Sequence, residues 1–135
     1  MPRKQAAPSA TKVPRAHVEI YRKVVPQMGQ LTHDVGELSK KSPDTAMSKF
    51  KLKVINEQLA LANKLLQPPF KPMEGFDQFD DHTLPSNSDV LIALSQYLKC
   101  LSMWHAANTY DKFNGNHLDR TNGRYWNVEG EPERA

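Results

Sequence analysis

His105, Asn108 and Asp111 are the residues best spaced to do chemistry together. On a helix turning about 100° per residue, His105 lies roughly 60° from Val90 and Asn108 almost directly above it, so an apolar stripe turns polar towards its end. An imidazole beside an amide and a carboxylate is the material of a general base with an orienting partner. The same types also make a core histidine satisfied by neighbouring hydrogen bonds. No nucleophile and no oxyanion-hole motif accompanies them, so they are read as a polar cluster and no catalytic residue is assigned.

The other reactive side chains are scattered. Cys100 precedes His105 by five residues, about 140° around a helix, which separates thiol from imidazole and makes the cysteine a small apolar residue at the core boundary. His33 and Glu37 are one turn apart and Asp81 adjoins His82, but neither pair matches a zinc spacing such as His-Glu-x-x-His, so no metal is expected. Lys112 and His117 are the nearest approach to the paired Arg/His motif of HEPN-type ribonucleases, with Lys where Arg is required. The six glycines form no phosphate-cradling loop. The chain reads as a non-enzyme without a cofactor.

Residues that bind rather than react are better represented. Arg3, Lys4, Lys12 and Arg15 sit with Pro2, Pro8 and Pro14 in a stretch without an acid, too poor in apolar area to offset ordering entropy. Residues 1–14 are therefore expected to be a disordered basic arm. Lys40, Lys41, Lys49, Lys51 and Lys53 make a second basic block, and Glu74, Asp77, Asp80, Asp81 and Asp89 an acidic one. Arg3, Lys4, Lys12, Arg15, Lys49, Lys51 and Lys53 are the candidates for phosphate contact, which would be salt-sensitive and independent of base sequence. Phe70, Met73, Phe76 and Phe79 punctuate a Pro- and Asp-rich stretch ending in Asp80 and Asp81. Such aromatics either pack down as a cover or stand out as anchors for another protein. Those six residues are the candidate protein-interaction set.

Three helices must position these groups. Tyr21, Val24, Met28, Leu31, Val35 and Leu38 recur every three or four residues and define an amphipathic helix, with Pro26 on its polar side as a bend or a first turn. Ser42-Pro43-Asp44 reads as the start of a second helix, which carries Leu52, Ile55, Leu59, Ala62 and Leu66, flanked by Met47, Phe50, Val54, Leu61 and Leu65, and stops at Pro68-Pro69. Residues 67–88 form a long connection. Ser86-Asn87-Ser88-Asp89 caps a third helix through Val90, Leu94, Tyr97, Leu101 and Trp104, expected to run to about Phe113 and close at Asn114-Gly115. Asn122-Gly123 suggests a short hairpin, and residues 129–135 are expected to be loose.

At 135 residues, 39% apolar and 24% charged, with formal charge +3, the chain suits one globular domain. A lone cysteine excludes an internal disulfide and fits a reducing, cytoplasmic setting. No apolar run reaches the roughly 20 residues of a membrane span, and residues 1–15 lack the apolar segment of a secretory signal. The expected fold is all-α: a three-helix bundle over residues 15–115, self-sufficient or completed to four helices by a second copy, with residues 116–135 as an extension. The expected function is that of a small regulatory or accessory subunit binding another protein. The alternative is a nucleic-acid-associated protein using the arm and the lysines of the second helix.

Overall fold

The computed structural model describes residues 11–135. Its elements are helix α1 (Arg15–Lys41), helix α2 (Lys49–Leu65), helix α3 (Asn87–Ala107), strand β1 (Thr109–Lys112) and strand β2 (Gly123–Trp126). Helix α1 runs unbroken through Pro26, which is exposed on the polar side. Helix α2 begins later than Ser42-Pro43-Asp44 suggests, because Ser48 supplies the cap: its hydroxyl accepts the Lys51 N–H at 3.3 Å. Residues 42–48 instead form a turn that pairs with the entry to α3. Met47 N–H donates to the Pro85 carbonyl, Asn87 N–H to the Thr45 carbonyl, and the Asn87 side chain to the Ser42 carbonyl. Ser86 caps α3 by accepting the Asp89 N–H.

The apolar stripes meet as their spacing requires. Val18, Val24, Met28 and Val35 of α1, Leu52, Ile55, Leu59 and Ala62 of α2, and Val90, Leu94, Tyr97 and Leu101 of α3 form one buried core. Helix α1 is the shared wall, packed along both α3 and α2, whereas α2 and α3 touch each other much less. That arrangement leaves Tyr21, Leu31 and Leu38, on the margin of the α1 stripe, only half buried.

The fold is mostly helical but not all-α. Helix α3 ends at Ala107, with Asn108 as its C-cap, and the chain turns directly into β1, which pairs antiparallel with β2 in the register Thr109 to Trp126 and Lys112 to Gly123. The expected helical run to Phe113 fails for two reasons. Thr109-Tyr110 favours an extended backbone, and Trp126 gains most of its burial by being brought back over the ends of α1 and α3. It is 3% exposed and joins Val128 in the helical core. The core therefore extends into residues 116–135.

Both ends of the described chain are tied to this edge. Val13 is buried and exchanges backbone hydrogen bonds with Asn127 and Glu129. Residues 129–135 are not loose: Trp126 N–H donates to the Glu133 carbonyl and Ala135 N–H to the Arg124 carbonyl, laying this segment along β2. Arg15 and Arg22 of α1 both pair with the Glu133 carboxylate. The expected disorder of the arm falls, for residues 1–10, outside the described residues. No helix among the described residues is long and apolar enough to cross a membrane.

Trp126→Ala should cost about 3–5 kcal/mol of folding stability, the scale of a large aromatic removed from a core. Urea unfolding followed by circular dichroism at the helical band checks this, and a loss below about 1 kcal/mol would mean that the sheet is merely appended to the bundle.

Candidate functional site

An apolar surface is left open between α1 and α2. Leu31, Val35 and Leu38 of α1 face Val54 and Ile55 of α2 across a cleft of about 470 Å³, bordered by Asp34 and Glu37 on α1 and by Lys51 on α2, with Lys41 at the α1 end. A shallower cleft lined by Gln27, Gln30, Leu31, Val54 and Gln58 continues it, sharing Leu31 and Val54, so the two form one groove. Helical geometry explains the opening. From buried Ile55, Lys51 and Gln58 lie about 40–60° round the helix and Val54 and Phe50 about 100–140°, so these side chains point progressively out of the bundle. Phe50 stands on the lip, 77% exposed. A large aromatic left in water forgoes roughly 2–3 kcal/mol of burial.

Polar groups along the groove are sparsely occupied. Gln30 donates to Asp34 at 3.0 Å, and Lys40 pairs with Glu37 at 3.1 Å with both ends exposed. Such exposed pairs hold little free energy and rearrange readily. The Gln58 side-chain oxygen is buried with no hydrogen-bond partner among the described residues.

The connection before α3 takes the packed form. Phe70, Met73, Phe76 and Phe79 are half buried against the core. Phe76 meets Phe79 edge-on at 5.0 Å and Tyr97 at 6.4 Å between ring centres. Helix α2 grips the main chain of the connection. The Asn56 amide accepts the Phe79 N–H and donates to the Phe79 carbonyl, both at 2.9 Å, and Asn63 donates to the Asp77 carbonyl while accepting the Tyr97 hydroxyl at 2.7 Å. Asp80 and Asp81 remain exposed. With His82 they place three potential ligand atoms within 4.8 Å, but all three side chains are in solvent and one Asp80 oxygen is committed to the His82 N–H.

Among the described residues, the basic candidates occupy different surroundings. Arg3 and Lys4 lie outside the described residues. Lys12 is exposed. Arg15 is engaged by Glu133 and the Glu131 carbonyl. Lys49 and Lys53, one turn apart, border a polar cleft with Asn56, Gln78 and Asp81, whereas Lys51 points into the α1/α2 groove. The basic and acidic blocks thus partly share a cleft, through Lys49, Lys53 and Asp81.

His105, Asn108 and Asp111 are each engaged with different groups. Asn108 is the α3 cap and donates to the Trp104 carbonyl at 2.8 Å. Asp111 lies on β1 and pairs with Arg124 at 3.1 Å. His105 stacks on Tyr21 at 5.0 Å and meets Trp126 at a right angle at 4.9 Å between ring centres, inside an aromatic cluster completed by Trp104. The indole N–H of Trp126 is buried there without a hydrogen-bond acceptor among the described residues. Burial, and then the Arg124 charge, hold the His105 pKa below its ordinary 6.5, while burial raises that of Tyr21. A neutral imidazole packed between rings is a core component.

Comparison with protein-family models, curated proteins and solved structures returned no match. Sequence reasoning missed the α1/α2 groove although its residues were visible as flanks: Phe50 and Val54 beside the α2 stripe, and Leu31 and Leu38 within the α1 stripe. What was hidden is that α2 does not cover that side of α1.

The lowered pKa of His105 carries a consequence for stability. The unfolded chain binds this proton at higher pH than the folded one, so stability is full above pH 6.5 and falls as pH drops through 6.5 towards the folded value. His105→Gln should flatten the stability profile below pH 6.5, measured by urea midpoints at each pH. An unchanged slope would show that the imidazole is not desolvated by the rings.

Proposed function

We propose that this protein is a non-enzymatic regulatory or accessory subunit that acts by binding another protein, and that the α1/α2 groove is where it does so. The observation that carries the reading is the groove: an apolar floor of Leu31, Val35, Leu38, Val54 and Ile55 with the exposed Phe50 on its lip and charged side chains at its edges. An apolar centre within a polar rim is the anatomy of a protein interface, and aromatic residues are the commonest anchors of such surfaces. Elongated grooves between two helices suit an amphipathic helix laid along them. Asn108 is committed to the Trp104 carbonyl and Asp111 to Arg124 rather than to His105, and Lys49 and Lys53 border a different cleft from Lys51, which favours this reading over catalysis or a phosphate track.

The test is affinity isolation of the tagged full chain from its native cell, with and without nuclease. Val54 is half buried on the groove wall, and Val54→Glu places a carboxylate there without emptying the core. The expected result is a partner protein retained after nuclease digestion and lost with Val54→Glu, while the variant keeps wild-type helicity. Loss on nuclease treatment alone would select the nucleic-acid reading, and retention by Val54→Glu would remove the groove from the account.

A further inference from the structure

The groove and the side chain that would fill it belong to the same molecule. Phe50 protrudes from α2 beside a cleft whose walls include Leu38 and Val54. In a lone chain both remain in water. We propose that the occupant of the groove is the groove of a second copy, the two related by a two-fold axis running along it, so that α1 of each copy lies over α2 of the other. This rests on the reading of the groove as a protein-binding surface and names the partner.

Symmetry and charge both favour this occupant. A two-fold contact buries one patch against itself, so a patch carrying its own knob and its own cavity satisfies both at once, whereas a foreign helix would have to cover Phe50 and fill the cleft separately. With the axis along the groove, heights are preserved and sides are exchanged. Phe50 of one copy then comes over the Leu38 wall of the other. Asp34 and Glu37 stand on the α1 side and Lys51 on the α2 side of the same cleft. The exchange therefore sets the acids of each copy against Lys51 of its partner, twice. An axis across the helices would lay the α1 wall, net acidic with Asp34 and Glu37 against Lys41, on its own copy, whereas the exchange sets walls of opposite net charge together, so charge also favours this orientation. The Lys40–Glu37 and Gln30–Asp34 contacts on these acids are exposed, and little free energy resists their exchange.

The arrangement makes two layers of two helices each from two copies of α1 and α2, leaving the outer face of α3 and the sheet end away from the axis. The mechanism of association is thus burial of two phenylalanines, oriented by two sets of opposite charges.

Sedimentation equilibrium of the full chain, from sub-micromolar to about 100 μM, tests this across the range in which small dimer interfaces dissociate. The expected result is a monomer–dimer equilibrium that Phe50→Asp weakens by about a hundredfold or more, with circular dichroism unchanged because the residue is exposed. Glu37→Lys and Lys51→Glu should each raise the dissociation constant about tenfold by placing like charges together twice. Mixing those two variants, or combining them in one chain, should restore association, which a general loss of stability would not do. A protein that stays monomeric throughout, or a dimer indifferent to Phe50→Asp, would overturn the proposal. If the monomer still retained a different protein in a Val54-dependent way after nuclease, the groove would keep its binding role and only its occupant would change.

Discussion

The ring cluster where α1, α3 and β2 meet is the constraint on which the rest of the structure depends. Tyr21 lies stacked with Trp104 and His105, and Trp126 stands against all three. Two helices crossing side by side leave their stripes open at the end, and the indole of Trp126, delivered from beyond the helices together with Val128, closes over that opening. Bringing it back requires the chain to stop being helical at Asn108 and to reverse through a hairpin. The sheet is therefore a device for returning an aromatic group to a helical core rather than a layer in its own right. It in turn offers an edge on which residues 11–14 and 129–135 lie down, and Glu133 is placed to receive Arg15 and Arg22.

Legibility followed the periodicity of each stretch. The stripes of α1 and α3 were readable because their apolar residues recur without interruption, and the serine before α3 was readable because capping is local chemistry. The start of α2 was misread because Ser42-Pro43-Asp44 and Ser48 both carry N-terminal signals, and tertiary pairing of Thr45 and Met47 with the α3 entry decides between them. The end of α3 was misread for a similar reason. Nothing within Asn108–Lys112 excludes a further helical turn as firmly as a proline would, and the partner that draws it into a strand lies more than ten residues ahead.

The binding surface was hidden differently. Its apolar residues were identified as members or flanks of helical stripes, and a stripe is normally taken to be covered. Whether a given margin is covered depends on how three cylinders share their neighbours, and here α1 lies between two partners that barely meet. Leu31 and Leu38 consequently border open space although their spacing matches that of Met28 and Val35. The aromatic connection shows the reverse outcome: Phe70, Phe76 and Phe79 sit in a sequence that looks like loop, yet they are drawn onto the core.

That connection is held by its peptide groups. Asn56 reads the N–H and carbonyl of residue 79 and Asn63 reads the carbonyl of residue 77, so the path over α2 is dictated by atoms that every amino acid possesses. Among the outward side chains Asp77 pairs with Lys71 at 3.2 Å and Asp80 accepts the His82 N–H, but the route over α2 itself rests on the peptide groups that Asn56 and Asn63 hold. This stretch is a fixed rail on which surface chemistry can diverge between descendants, or be rewritten by an engineer, without the bundle beneath having to adjust.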